Sequence, residues 1–292
     1  MIVISLGAGL GNQMFEFSFY VHLRRRFPNQ SIKLDSNYAF PIAHNGIEIF
    51  DIFGISADIA TKNEVLKLTK GIGLRGVNCG TSLLKRIRRK IGWYPNRMRI
   101  QKDFTEFYPD FFDISSDANI YFYGPFANYK YFKEIGDDIK NIFKFPVIKD
   151  ERNREYQAQI MYENSFSIHV RKGDYESEGV QLTPLSFYNQ AIKYIENKIE
   201  NAVFFVFSDD LAYARELFGN GSNFVYIKGN KGKNSYIDMQ LMSLCKHNIT
   251  ANSTFSFWGA FLNDNKSKIV IAPNLPFTGT KYPFACDDWI MI

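Results

Sequence analysis

Ser167-Ile168-His169-Val170-Arg171-Lys172-Gly173-Asp174-Tyr175 is the stretch whose reading decides the fold. Ile168 and Val170 alternate with His169 and Arg171, and on a strand such neighbours leave opposite faces. The strand runs directly into a cationic turn. Gly173 there can adopt backbone angles closed to other residues, so the chain can turn close to a ligand. An imidazole, a guanidinium and a carboxylate at the end of a buried strand suit a nucleotide diphosphate, because a guanidinium presents a rigid fork of donors to phosphate oxygens. The same residues also read as a strand end with an ordinary surface ion pair, and the rest of the chain must choose.

Outward from that stretch the second half is regular. Strands are expected at Phe166–Val170, Val203–Phe207, Phe224–Ile227, Asn248–Ala251 and Ile269–Ala272. Helices between them begin at Pro184 with Thr183 as cap, near Asp210, at Ser235 and at Ser253. Short apolar strands alternating with helices imply a parallel, doubly wound α/β sheet. In the first half Ile2–Leu6, Ser31–Leu34 and Ile120–Tyr123 read as strands. Asn12 caps a helix that runs to about Arg26 and ends before Pro28, and a further helix falls near Tyr129–Ile142. The polar stretch Lys149–Gln159 reads as a bridge, giving two α/β domains, 1–148 and 149–292.

The chain has 292 residues, 46% hydrophobic and 22% charged, a globular profile with room for two domains. A formal charge of +5 suits an anionic small molecule or an anionic membrane surface but does not argue for nucleic acid. With 28 Phe and 17 Tyr, the aromatic excess points first to a Phe-rich core. Cys79, Cys245 and Cys286 are scattered, without metal or disulfide spacing, as expected in a reducing cytoplasm. No basic segment precedes the Ile2-Val3-Ile4 strand, so no secretory signal is expected, and no apolar run reaches the length of a membrane span.

Other polar segments fall at strand ends, where a doubly wound sheet binds its ligands. Gly7-Ala8-Gly9-Leu10-Gly11-Asn12-Gln13 joins the first strand to the first helix and suits an anion or sugar hydroxyls, although its glycine spacing is not that of a dinucleotide loop. Ser208-Asp209-Asp210 can hold ribose hydroxyls or a divalent ion, or Asp210 simply caps the next helix. Asn252-Ser253-Thr254 offers hydroxyls and amides to an anion, or Ser253 only caps. Asp238 interrupts the apolar helix Tyr236–Met242 and is exposed, paired or turned to a ligand.

Taken together these segments resemble the bacterial galactoside α-1,2-fucosyltransferases, glycosyltransferase family 11. The likeness rests on Gly9-Leu10-Gly11-Asn12-Gln13-Met14-Phe15, His169–Tyr175, Phe207-Ser208-Asp209-Asp210, Asp238-Met239, Leu241-Met242-Ser243, His247 and Asn252–Gly259, in the family's order. Lys172 and Phe257 stand where Arg and Trp are common. The resemblance implies two Rossmann-like halves of the GT-B type and an inverting transfer of fucose from GDP-fucose to a galactoside, without a metal or other cofactor. It implies that Arg171 binds the β-phosphate, that His169, Asp209, Asn252, Ser253 and Thr254 border the donor, and that Asp238 meets the guanine. Gly9, Gly11, Asn12 and Gln13 would lie on the acceptor side, and Asp174 is the candidate general base.

A lipid-linked oligosaccharide acceptor would bring such an enzyme to the inner face of the cytoplasmic membrane. The stretch 85–99 fits that setting: its lysines and arginines are interleaved with Ile87, Ile91, Trp93 and Tyr94 and it holds no acid. A solvated basic loop is the plainer account. Two other classes compete, a dinucleotide-dependent sugar-modifying enzyme and a nucleotide- or glycan-binding module without turnover.

Overall fold

The computed structural model describes residues 1–37, 45–70, 95–177 and 179–292. The chain divides into two units, Met1–Lys144 and Phe145–Ile292. The seam falls slightly before the 148/149 expected from sequence, because Ile148 packs with Ile160 and Phe205, and Phe145 stacks on Tyr236.

The first unit holds a parallel sheet of β1 (Ile2–Ser5), β2 (Ile32–Asp35), β3 (Met98–Ile100) and β4 (Ile120–Tyr123), in the order β2-β1-β4-β3. Helix α1 (Leu10–Arg26) follows β1, then come α2 (Ile49–Phe53), α3 (Lys62–Thr69) and α4 (Gly136–Ile142). Arg24, Arg25 and Arg26 fill the last turn of α1, where cations face the negative end of the helix dipole. The aromatic excess goes to the core. Phe19 packs against Phe112, Phe122, Phe126 and Tyr131 at centroid distances of 5.6, 5.3, 4.5 and 5.0 Å. The helix expected over 129–142 is two short 3₁₀ turns followed by α4.

Of the basic stretch 85–99, residues 85–94 lie outside the described residues. Its far end is not loop but the start of β3. Arg99 there donates to the carbonyls of Asp110 and Asp113 and lies over Phe122, so it is not offered to a membrane. Among the described residues, no helix is long and apolar enough to cross a membrane.

The second unit is a six-stranded parallel sheet. It comprises β5 (Asn164–Val170), β6 (Ala202–Ser208), β7 (Phe224–Tyr226), β8 (His247–Ile249), β9 (Val270–Ala272) and β10 (Ile290–Met291), in the order β10-β9-β8-β5-β6-β7. Between them run α5 (Glu151–Tyr162), α6 (Gly173–Ser177), α7 (Leu185–Glu196), α8 (Leu211–Phe218), α9 (Tyr236–Leu244) and α10 (Thr254–Phe261). Strand β6 shows why the strands read as apolar runs: Phe204 and Val206 enter one core, Phe205 and Phe207 the other, so both faces are covered. The α/β reading and the two Rossmann-like halves are borne out. The bridge expected at Lys149–Gln159 is largely helix α5, capped by Asp150. Strand β10 has only two residues, too few for a sequence pattern.

The chain goes from β5 through β6 to β7 on one side, then returns to β8 on the other. The connections that leave the carboxyl ends of the paired strands β5 and β8 therefore diverge, the place where doubly wound sheets bind ligands.

Packing of α9 on α10 supports that end of β8. A methyl group added at Gly259 would stand 2.8 Å from Cβ of Met242, which is anchored close to its own backbone. Gly259→Ala is expected to destabilise the protein by about 1–3 kcal/mol through overpacking, despite alanine's better helix propensity. Denaturant unfolding checks it; an unchanged or higher stability would show that α9 and α10 separate freely.

Candidate functional site

The core of the site is the end of β5 and the turn that follows. Asp209, at the end of β6, reaches across to it. Its Oδ2 pairs with the Arg171 guanidinium at 3.0 Å and its Oδ1 accepts the Lys172 amide at 3.0 Å. Gly173 is needed for this approach and not for an unusual backbone angle: a Cβ there would lie 2.7 Å from Asp209 Oδ2. Tyr175 lies under Arg171, 5.6 Å from guanidinium carbon to ring centroid, and donates its hydroxyl to the Asn252 carbonyl at 3.0 Å. The turns after β5 and β8 are thus tied together across the divergence.

The Asp209-Asp210 pair is engaged by cations and amides. Asp210 caps α8 through the Tyr213 amide at 2.9 Å and accepts from Lys172 Nζ at 3.2 Å. These contacts, the Tyr213 amide first, hold its carboxyl below the usual range. Sequence left ribose, a metal ion and capping open for this pair; the geometry makes Asp210 a cap and Asp209 the orienting partner of Arg171.

His169 faces away from the Ile168 core, next to the Phe255 ring. Only 4% of it is exposed. Burial, with the charge of Arg171 as a smaller cause, pushes its imidazole down to about 3. It is a neutral group at physiological pH, not a second cation for a diphosphate.

Asn252 is equally buried. Its amide donates to Thr183 Oγ1 at 3.1 Å and its Nδ2 to the Pro276 carbonyl at 3.2 Å. Thr183 therefore braces the turn after β8 and does not cap α7, which lacks a side-chain cap. His169 Nδ1 and Asn252 Oδ1 are buried without a hydrogen-bond partner among the described residues. Such groups cost roughly 1–3 kcal/mol each and persist chiefly where a ligand or water serves them.

Ser253 Oγ accepts the Phe255 amide at 3.3 Å, the capping role read from sequence, and keeps its own hydroxyl hydrogen. Thr254 opens α10, half-buried. Asp174 is in the first turn of α6, and its side chain lies outside the described residues.

Asp238 is paired. Its Oδ1 accepts Asn230 Nδ2 at 2.7 Å, and burial pushes its carboxyl up to about 7. Asn230 exchanges hydrogen bonds with Asn153, a connection no sequence spacing displays.

In the first unit Gly9 is the residue before α1, and its carbonyl accepts the amides of Asn12 and Gln13, so Gly11 and Asn12 lie inside the helix and Asn12 is not its cap. Asn12 is half-buried, and its side chain has no hydrogen bond among the described residues. Gln13 is fully engaged within the protein. Its Nε2 donates to the carbonyls of Ala8 and Gly46 at 2.8 and 2.9 Å, and its Oε1 accepts the amides of Glu48 and Ile49 at 2.9 and 3.3 Å. Glu16, not singled out from sequence, is wholly buried beneath the loop and accepts the Gly7 amide at 2.8 Å. Burial pushes its carboxyl well above the ordinary range, so it keeps a proton more readily than an exposed acid does.

Comparison with known proteins places the chain in a family. The family described as "Glycosyl transferase family 11" matches residues 96–290. Similar curated proteins include the "O-antigen biosynthesis glycosyltransferase WbnK" of Escherichia coli, 29% identical across 98% of both chains. An "Alpha-1,2-colitosyltransferase" of Escherichia coli is 32% identical across 94% of this chain and 91% of its own. The "Galactoside 2-alpha-L-fucosyltransferase SEC1" of Bos taurus is 26% identical over 39% of this chain and 32% of its own. The chain belongs to glycosyl transferase family 11. It is a glycosyltransferase, which sets aside the dinucleotide-dependent and non-catalytic readings.

The neutral imidazole has a direct check. His169 ring resonances in NMR spectra should not move between pH 5 and pH 8. The unfolded chain binds the imidazole proton near its ordinary value of about 6.5. The His169 contribution to stability is therefore full above that pH and lost as pH falls towards 3. A titration midpoint near 6.5 in the folded protein would show that the ring is solvated.

Proposed function

We propose that the chain transfers L-fucose from GDP-β-L-fucose to the 2-hydroxyl of a galactoside with inversion, giving an α-1,2 linkage in a surface polysaccharide such as an O-antigen. The observation that carries this reading is the Arg171 guanidinium, held by Asp209 and Tyr175 where β5 and β8 diverge. The relatives' names support the linkage and the setting: one is an O-antigen glycosyltransferase, one forms an α-1,2 bond, and one is a galactoside 2-α-L-fucosyltransferase.

In this reading the acceptor oxygen forms a bond to fucose C1 as the C1–phosphate oxygen bond breaks, and GDP departs with the bonding electrons. Positive character develops on the sugar and negative charge on the diphosphate. Arg171, preorganised and unable to lose its proton, stabilises that charge together with Ser253, Thr254 and the amides that open α10. His169 and Asn252 meet neutral donor groups, since one is an uncharged ring and the other offers a carbonyl oxygen. Asp238 meets the guanine. Gly9, Gly11 and Asn12 are assigned to the acceptor, whereas Gln13 serves as a brace for the glycine loop. Asp174 is assigned as the base that takes the acceptor proton.

The full-length similarity to a colitosyltransferase favours a second reading, in which the transferred sugar is colitose, fucose without its 3-hydroxyl. Offering both activated sugars to a panel of galactosides, with GDP release and linkage analysis as readouts, decides between them. GDP release on none of the panel, with either donor, would sink both.

Arg171→Ala should lower kcat on the order of 100- to 1000-fold with an unchanged melting temperature, as for loss of one preorganised donor. Arg171→Lys should restore little, because the planar fork is gone. More than a tenth of wild-type turnover in the alanine variant refutes the assignment.

Asp209 and Asp210 being engaged by Arg171, Lys172 and the amides of Lys172 and Tyr213, turnover is expected to persist in excess chelator at the rate found with added magnesium. Loss with chelator and recovery with Mg²⁺ or Mn²⁺ would instead make the carboxylate pair a metal site.

A further inference from the structure

Three side chains behind the Asp238 carboxyl form a directed chain. Asp150, the cap of α5, accepts from Asn153 Nδ2 at 2.9 Å through each of its oxygens. Asn153 Nδ2 also donates to Asn230 Oδ1 at 2.8 Å, and Asn230 Nδ2 returns a bond to Asn153 Oδ1 at 2.9 Å. Asn230 Nδ2 then donates to Asp238 Oδ1 at 2.7 Å.

The direction follows from chemistry. A carboxylate can only accept, so Asp150 obliges Asn153 to present its NH₂ end. The reciprocal amide pair then leaves Asn230 one orientation, with its remaining N–H aimed at Asp238. Asn153 is 1% exposed, so its side of the pair is shielded from solvent, while Asn230 is half-buried. The bend that brings Asn230 round is made at Gly229, at φ 98°, where a Cβ would fall 2.2 Å from the Arg152 guanidinium carbon.

The outcome is a carboxyl whose Oδ1 always receives an N–H and whose Oδ2 has no partner among the described residues. A group held in that way is presented as a pair of acceptors. Guanine offers the complement, N1–H and the 2-amino group side by side. Adenine offers one donor beside one acceptor and does not match.

We propose that the Asn153–Asn230 amide pair is a specificity-positioning element, which makes Asp238 a double acceptor for a purine with two adjacent N–H donors. It rests on the reading of Asp238 as the guanine contact. Two causes act against the burial that raises the Asp238 carboxyl, the Asn230 bond first and the charge of Arg152 second. Without Asn230 the group would hold a proton more readily and show a donor where guanine also has one.

The test is calorimetric titration of the full chain with GDP, IDP and ADP, in wild type, Asn230→Ala and Asn153→Ala. Melting curves confirm folding, and the second variant serves if the first does not fold. Wild type should bind GDP at least about tenfold tighter than ADP, the effect of one matched hydrogen bond to a charged group, with IDP between them. In Asn230→Ala the GDP-to-ADP ratio should fall to within about threefold while ADP affinity stays within about twofold. Asn153→Ala should lower the ratio less, since Asn230 remains but can turn. Equal weakening of GDP and ADP would mean a merely structural role, and an unchanged ratio would mean that the pair positions nothing; either overturns the proposal. A wild-type protein without preference for GDP over ADP would instead remove the guanine reading itself.

Discussion

One carboxylate organises the site. Asp209 accepts from the Arg171 side chain and from the Lys172 amide at once, and it can come that close only because residue 173 has no side chain. As a partly exposed ion pair it contributes little to stability. Its value is orientation. A guanidinium pinned by a carboxylate and supported by an aromatic ring is held in a fixed direction, and such preorganisation is what transition-state charge requires. The turn after β8 is tied to the same arrangement through the Tyr175 hydroxyl.

Burial sorts the titratable groups within each unit. His169 loses the competition for its proton and stays an uncharged ring, whereas Glu16 and Asp238 keep theirs more readily than exposed carboxylates do. The same physical cause, desolvation of the charged form, leaves the His169 ring neutral, whereas at Asp238 the Asn230 bond and the charge of Arg152 work against it. Arg171 keeps its charge because guanidinium does not deprotonate in proteins. Charge and shape recognition are separated by residue type as well as by place.

Much of the fold was legible in the chain. Alternating apolar residues over Phe166–Val170 and the unbroken apolar run Val203–Phe207 marked strands of the second unit, and Gly173, Asp210 and Ser253 marked where strands give way to helices. Strand β10 and the start of β3 were not legible, one because it has two residues and the other because its basic composition resembles a loop. The site was legible as a set of polar residues at strand ends but not as a set of roles. Thr183 reads as a cap from its place before Pro184, yet its hydroxyl serves Asn252. Gln13 reads as a sugar-side residue, yet all its capacity goes to Ala8, Gly46, Glu48 and Ile49.

The sequence by itself determined the α/β class, the parallel order of short strands and helices in the second unit, and the residue types available for binding a nucleotide sugar. Those features follow from local periodicity and from chemistry that each side chain carries wherever it lies. Tertiary structure alone decided which partner each polar group received. Asp209 meets Arg171 because β6 lies beside β5, and Asn230 meets Asn153, 77 positions earlier, because the loop after β7 reaches the first turn of α5. No local pattern encodes such meetings, since they depend on strand order, and the charge state of His169 and Asp238 depends in turn on how much protein is packed around them.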